Sequence, residues 1–248
     1  MFSLCSEWGT IGLPTKCRSG SVAEHHLGKM GVTGSIPVFG SCFCSGICKC
    51  DNIPSMAVRR TAQVGHPALQ SANEIISNFS DTKILSLIQD LEDTMLAADL
   101  IGLAAPQIGE NHQVFITQPR KTKSRPEIAD ELRVYINPTI TQFSDETVTI
   151  FEGCGSVVHG QLFGPVSRPK TITIEAFDRV GKKFSLTCDG ILARVIQHEY
   201  DHLQGVEFLE KVSDYREMMA LEHYKENVAT SQPHIDASQI SALEFKYL

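Results

Sequence analysis

The stretch DGILARVIQHEYDHLQG, residues 189–205, carries two histidines four positions apart, with a glutamate directly after the first. Asp189 can cap a helix at its start, and Gly205 can end one. Positions four apart lie on one face of a helix, so His198 and His202 share a stripe that apolar residues continue towards the helix start. We therefore predict a central helix whose histidines point into the interior.

The HEYDH pattern at 198–202 is typical of metal sites, in which the two imidazoles bind the ion and Glu199 acts as general base. Two protein ligands rarely complete a catalytic site, so a third ligand is expected. Downstream, the position at which one class of metallopeptidase has a third histidine is Phe208, which cannot bind a metal. Glu217 and Glu222 are the carboxylates available to another class.

The upstream candidate for the third ligand is Cys154, in FEGCGSV at 151–157. It follows a β-rich run and a glycine, and a thiolate is a strong ligand for Zn or Fe(II). A Cys–His–His set leaves a fourth position open for water, as catalytic sites do. A cysteine alone is more often a buried apolar residue, and Cys188 is the rival, although it ends a strand without such a turn.

Five short runs rich in β-branched and aromatic residues are separated by turn residues. They are QVFIT (113–117), RVYIN (133–137), TVTIFEG (147–153), TITIEAF (171–177) and KKFSLTC (182–188). Residues 80–98 have helical periodicity, with Ser80 or Asp81 as N-cap, and a further helix is predicted around 213–227. We predict an α+β fold in which antiparallel β-sheets pack around the central long helix that carries the histidines, with an N-terminal helix and a C-terminal helix.

Residues 1–55 differ from the remainder, because they lack periodicity and hold six of the eight cysteines. The spacing in CFCSGICKC misses the usual CxxC pairs of a metal knuckle. We interpret this part as a non-structural extension that precedes a true translation start at Met56, with a transit segment as the alternative. Residues 56–230 are then the catalytic domain, and 231–248 form a polar tail.

Composition limits the class of protein. A chain of 248 residues with 42% hydrophobic residues can bury a large core. Its net charge of −7 argues against DNA as a partner. The sequence lacks an apolar run of the roughly 18 residues that a membrane-spanning helix needs, and lacks a secretory signal. We therefore expect a cytoplasmic protein that binds no membrane, and an organellar one only if residues 1–55 are a transit peptide.

Three segments in order resemble the motifs of one family. IGLAAPQIG (101–109), EGCGS (152–156) and QHEYDHLQG (197–205) resemble the three signature motifs of the peptide deformylases. The resemblance runs from about residue 60 to about 215. It implies removal of the N-formyl group from the N-terminal methionine of newly made polypeptides, with release of formate. N-formylmethionyl nascent peptides would be the partners, with the ribosome as the expected place of contact.

The resemblance also implies roles for single residues. Cys154, His198 and His202 would bind one divalent metal ion per chain, Fe(II) natively, with Zn or Ni as substitutes. Glu199 would be the general acid and base, and Gln107 would stabilise the oxyanion together with the backbone N–H of Gly155. The expected substrate-binding residues lie in or directly before the first two motifs and are Leu100, Ile101, Gly102, Glu152 and Gly153.

Three positions depart from the family pattern. Family members usually have glycine at the position of Leu100, a larger apolar residue at that of Gly155 and proline at that of Val158, so the departures bear on substrate range and turnover. Two other functions remain as alternatives. One is a zinc metallopeptidase, which Phe208 weakens, and the other is a catalytically idle deformylase-like protein that binds nascent chains or ribosomes without turnover.

Overall fold

The computed structural model describes residues 57–121 and 130–248. Both the 1–55 extension and its proposed start at Met56 lie outside these ranges. The described helices and strands, in chain order, are α1 (Thr82–Ala97), β1 (Gly102–Ala104), β2 (Val114–Thr117), β3 (Arg133–Phe143), β4 (Thr147–Gly153), β5 (Leu162–Pro169), β6 (Ile172–Phe177), β7 (Lys183–Asp189), α2 (Gly190–Leu203), β8 (Met219–Ala220), α3 (Leu221–Asn227), α4 (Gln232–Ala237) and β9 (Ile240–Tyr247). No helix in these ranges is long and apolar enough to cross a membrane.

The strands form two antiparallel sheets, as the sequence predicts. One has six strands in the order β1-β2-β3-β6-β7-β9, and the other has three in the order β4-β5-β8. Strand β1 is therefore an edge of the larger sheet, and β4 is an edge of the smaller one. The candidate site lies beside both of these edges.

Helix α2 is the central helix, and twelve of its fourteen residues are buried. Its apolar residues Leu192, Val195 and Ile196 pack with Phe115 and Tyr135 of the larger sheet. Burial on nearly every side is typical of a helix inside the core, where polar residues are costly unless they have partners. The histidines on this helix are therefore held inside the protein, as predicted.

Helix α1 packs against another part of the larger sheet, where Ile88, Leu91 and Met95 join a second apolar cluster with Leu103 and Ile116. Its N-cap is Asp81, whose carboxylate accepts a hydrogen bond from the backbone N–H of Lys83. The helical periodicity of 80–98 thus predicts both the helix and one of its two candidate caps.

The C-terminal part differs from the prediction. The helix expected around 213–227 is shorter, since only Leu221–Asn227 is helical there, after a 3-10 turn and strand β8. The expected polar tail at 231–248 instead contains helix α4 and strand β9, which pairs with β7. Leu243, Phe245 and Tyr247 alternate along β9, as in a strand. All three side chains remain about half exposed, and the Phe245 ring stacks on that of Phe184 in β7.

Candidate active site

Three side chains from two elements converge at the centre of the site. His198 and His202 project from α2, and Cys154 follows the end of β4. Their donor atoms lie within 4.8 Å of one another, and all three residues are buried. The Cys154 Sγ atom lies 3.2 Å from Nε2 of His202. Two ligands of one tetrahedral zinc ion stand roughly 3.5 Å apart, given the usual bond lengths, so this donor set fits a divalent metal ion.

The other candidates for the third ligand lie outside this group. Cys188 is fully buried in β7, where burial raises the pKa of its thiol to about 12, so it remains protonated. Glu217 and Glu222 are exposed. In the part of the chain that the structure describes, Cys154, His198 and His202 are the group of three that could hold a metal. Cys154 is therefore the third ligand that the geometry favours.

Glu199 lies beside the three donors and is itself buried, with Oε2 lacking a hydrogen-bond partner in the described ranges. Burial raises the pKa of its carboxyl group to about 7. A pKa near neutrality suits a group that both accepts and returns a proton. Gly102 makes room for this carboxylate, since a Cβ atom at that position would lie 2.5 Å from Oε1 of Glu199. Gly102 thus shapes the site by having no side chain.

The Glu152 carboxylate holds His198 from behind. The Oε2 atom of Glu152 lies 3.0 Å from Nδ1 of His198. The other ring nitrogen of His198, Nε2, therefore remains for a metal ion. Arg168 donates two hydrogen bonds to the carboxylate, 2.7 and 2.9 Å long, and Arg194 donates a third of 2.8 Å. Although burial alone would raise it, the pKa of Glu152 is well below its usual range because of His198 and Arg168. The sequence assigned Glu152 to substrate binding, but these four bonds favour a positioning role.

Arg168 connects Glu152 to helix α2. It is 2% exposed, and its third hydrogen bond, 2.6 Å long, goes to Asp201 of α2. Asp201 also accepts from Lys211. Buried charges are tolerated only where they are paired in this way. Sequence reasoning missed Arg194 and Asp201, although charged residues on a helix predicted to be buried were a signal that each has a partner.

The Gln107 side chain is oriented by its own turn. Its Oε1 accepts a hydrogen bond of 2.7 Å from the backbone N–H of Ala104, which turns the amide nitrogen towards Cys154 Sγ, 3.5 Å away. Gln107 is 2% exposed. Gly155, directly after Cys154, lines the same cavity as Gln107. The structure thus places both predicted oxyanion donors beside the metal ligands.

Two of the departures from the family pattern, Leu100 and Gly155, meet in space. A Cβ atom at Gly155 would lie 3.0 Å from Cδ1 of Leu100. The Leu100 side chain therefore fills the space that a larger residue at 155 would use. The sequence shows each departure separately, and only the structure shows that the two residues share one volume.

A cavity of about 370 Å³ opens beside these groups. Of the eleven residues that the sequence assigns to the site, all but His202 line it. The opposite wall comes from the C-terminal part, where the Tyr224 ring stacks on Phe163 at 4.0 Å and its hydroxyl lies 3.0 Å from His234 Nε2. Pockets of this size accept small ligands or single side chains.

Comparison with known proteins agrees with the motifs. Residues 58–218 match the family described as polypeptide deformylase. The chain is 40% identical over 167 residues to peptide deformylase 1 of Bacillus anthracis, an alignment that covers 67% of this chain and 100% of the relative. It is 35% identical over 181 residues to the chloroplastic/mitochondrial peptide deformylase 1B of Arabidopsis thaliana, covering 70% and 64%.

A solved structure shows the same fold. The Met-Ala-Ser-bound crystal structure of a class I type b peptide deformylase from Acinetobacter baumannii matches with a TM-score of 0.60 and 28% identity, covering 64% of this chain and 100% of that one. The sequence match extends over more than half of the chain and includes every residue of the Cys–His–His group. On these grounds the chain belongs to the polypeptide deformylase family.

Proposed function

We propose that this protein removes the N-formyl group from the N-terminal formylmethionine of newly synthesised polypeptides and releases formate. The family assignment supports the activity. The observation that carries the proposal is the buried Cys154–His198–His202 group, with Glu199 beside it on the same cavity. The family is metal-dependent, and we further propose one ion per chain, Fe(II) natively, with Zn or Ni as substitutes.

The three ligands define what a bound ion would do. Cys154, His198 and His202 would hold it and leave one position open. A divalent ion there supplies Lewis-acid chemistry, which lowers the pKa of water and polarises a carbonyl group. Everything else in the mechanism falls to the chain itself: accepting and returning protons, stabilising charge and holding the peptide.

Glu199 handles the protons. Its carboxylate takes one proton from the attacking water, whose oxygen bonds to the formyl carbon. When the C–N bond then breaks, Glu199 returns that proton to the leaving nitrogen. The products are the free amine of the peptide and formic acid, which loses its remaining proton to water and becomes formate. Negative charge on the formyl oxygen is stabilised by the Gln107 amide and the Gly155 N–H, which are already oriented before reaction.

The peptide has a place to lie. Strands β1 and β4 are both sheet edges, and Gly102 of β1 and Gly153 of β4 line the cavity. An extended peptide can add to such an edge through backbone hydrogen bonds. Its first side chain would enter the apolar cavity. The wall that contains Tyr224 lies after residue 218, where the family match ends, so we propose that this wall makes the pocket particular to this chain.

The peptidase alternative is not favoured. Phe208 is buried beside the site, with its ring 6.2 Å from that of His198, so an apolar ring occupies the place of the downstream histidine. Glu217 and Glu222 are exposed. The idle alternative would need a lost catalytic group, whereas Glu199 and Gln107 are both present beside the ligands.

Formate release tests the function directly. The metal-loaded protein should release formate from formyl-Met-Ala-Ser. It should leave the matching acetylated peptide intact, because the acyl group has to fit the narrow part of the cavity beside Gly102, where the methyl group of an acetyl would not fit. Cleavage of the Met–Ala bond instead would support the peptidase. Binding of the peptide without formate release would support the idle protein.

Leu100 is expected to narrow the peptide site. Replacing Leu100 with glycine removes the side chain that fills the space beside Gly155, so the range of accepted peptides should broaden. One group filling or vacating an apolar pocket typically changes selectivity about 10-fold or more. The measurement is kcat/KM for formyl peptides that differ in their first two side chains. Equal selectivity in the two proteins would mean that Leu100 does not contact the peptide.

Gly155→Leu is the matched control. Alone it should lower kcat/KM, because its side chain meets Leu100, and combining it with Leu100→Gly should restore much of the loss. Additive effects would show that the two positions do not share one volume.

Residues 1–55 are proposed to be dispensable. The buried core residues of the described ranges begin at Ala62, and every site residue lies beyond that point. A protein that begins at Met56 should therefore keep its melting temperature and its rate of formate release. A large fall in either would show that the extension contributes to the fold or the site.

The place of action remains a proposal. We propose a cytoplasmic protein acting on nascent chains near the ribosome, and the organellar plant relative keeps open an organellar place if residues 1–55 act as a transit peptide. Antibody detection of the native N-terminus in fractionated cells would separate these two.

A further inference from the structure

We propose that Glu207 is a positioning residue that holds the imidazole ring of His202. The inference rests on the proposed metal site, since it concerns the ligand that His202 would supply. Glu207 lies five residues after His202, at the start of the 3-10 turn Phe208–Lys211. Sequence reasoning passed over it in favour of carboxylates further downstream.

The Glu207 side chain is buried without a partner. The residue is 8% exposed, and neither carboxylate oxygen has a hydrogen bond within the described ranges. The N–H of Glu210 donates to the backbone carbonyl of Glu207 and not to its carboxylate. A buried carboxylate is costly unless its hydrogen bonds are made. An unpartnered one in a folded protein therefore calls for a role.

A polar group close to the Glu207 carboxylate also lacks a hydrogen bond. Nδ1 of His202 is buried and has no hydrogen bond in the described part of the chain. It lies 3.8 Å from Oε1 of Glu207, about 1 Å beyond a charge-assisted hydrogen bond. The other ring nitrogen of His202, Nε2, faces Cys154 Sγ at 3.2 Å. One ring thus directs one nitrogen towards the ligand group and the other towards Glu207.

The chemistry of a histidine ligand needs such a neighbour. A histidine that binds metal through Nε2 carries its proton on Nδ1. A carboxylate that accepts a hydrogen bond from this Nδ1–H group fixes both the tautomer and the ring orientation. His198 already has this arrangement, with Glu152 at 3.0 Å from its Nδ1. Glu207 stands in the corresponding place behind His202. The two histidines therefore have one carboxylate each.

The two carboxylates differ in how firmly they are held. Arg168 and Arg194 together donate three hydrogen bonds to the Glu152 carboxylate. Glu207 has no such support in the described ranges, so its side chain can move the remaining distance towards His202. The burial of Glu207 lowers the stability of the metal-free fold, whereas its contact with His202 strengthens metal binding. The two effects can be measured separately, so the role is testable.

The test compares Glu207→Leu with Glu207→Gln in the full chain. Glu207→Leu has a similar size and no acceptor. It should bind Zn²⁺ about 10- to 100-fold more weakly, the usual effect of losing such a partner, and should release the ion correspondingly faster to an excess of chelator. Its metal-free form should melt at the same or a higher temperature, because an unpartnered buried carboxylate has been removed. Glu207→Gln keeps an acceptor oxygen. It should release Zn²⁺ more slowly than Glu207→Leu and faster than the unaltered protein.

Glu210→Leu is the matched control. It removes the side chain that accepts a 2.9 Å hydrogen bond from the Glu207 N–H, so it disturbs the same turn while keeping the Glu207 carboxylate. Its Zn²⁺ release should stay close to that of the unaltered protein. Equal release from Glu207→Leu and the unaltered protein would overturn the inference. So would equally fast release from all three variants, which would indicate damage to the turn. A protein that retains Zn²⁺ normally but releases no formate would contradict the proposed function and leave the comparison of release rates valid.

Discussion

Glu199→Gln is expected to lower kcat for formate release by roughly 10²- to 10⁴-fold, the usual contribution of general acid–base catalysis. The amide cannot take a proton from water, although it has almost the same shape as the carboxylate. The bound metal should remain, because Glu199 lies outside the Cys154–His198–His202 group. Metal analysis and formate release, measured on the same sample, check both parts.

The control for this variant is Glu217→Gln, which changes an exposed carboxylate outside the site. It should keep both metal and activity, and it also tests the residue that a peptidase would have used as a ligand. A fully active Glu199→Gln protein would remove the proposed mechanism. A Glu199→Gln protein without metal would mean that Glu199 helps to hold the ion.

Cys154→Ala should lose the metal and the activity together, whereas Glu199→Gln should lose only the activity. Only two histidines remain, and two ligands hold a divalent ion weakly compared with three. We expect the purified variant to contain little metal after dialysis and to release formate at least as slowly as Glu199→Gln. The apo-protein should still fold, since the apolar packing of α2 does not depend on the thiol.

Cys188→Ala provides the comparison for Cys154→Ala. Cys188 is also a buried cysteine, but it belongs to the core and lies outside the ligand group. Its replacement should lower the melting temperature somewhat, because a small cavity is left, and should leave the metal content unchanged. A fully metallated Cys154→Ala protein would return the third ligand to a downstream carboxylate and revive the peptidase.

The elements with strong periodicity were predictable. Helix α2 has apolar residues at helical spacing, and the predicted run 189–205 contains the observed Gly190–Leu203. The runs at 113–117 and 147–153 contain β2 and β4. In these segments local preference and burial act in the same direction, so one sequence suffices to find them.

The elements that were missed lack this agreement. Strand β5, Leu162–Pro169, contains Gly164, Pro165 and Pro169, residues that normally interrupt a strand. It forms because β4 pairs along its whole length. Strand β1 is only three residues long, too short to show a period. Strand β9 has an alternation of apolar residues, but it lies in a segment whose composition is that of a polar tail.

The sequence by itself determined the chemistry of this protein. The spacing of His198 and His202 depends only on the helical repeat, and the ordered motifs around Cys154 and Gln107 indicate the family without coordinates. The tertiary structure alone decided what stands behind these residues. Glu152 lies beside His198 from 46 positions away in the chain, and Glu207 lies beside His202 from five positions away. Leu100 meets Gly155 from a distant part of the chain. Such contacts depend on how the elements pack, and a sequence pattern records spacing along one element only.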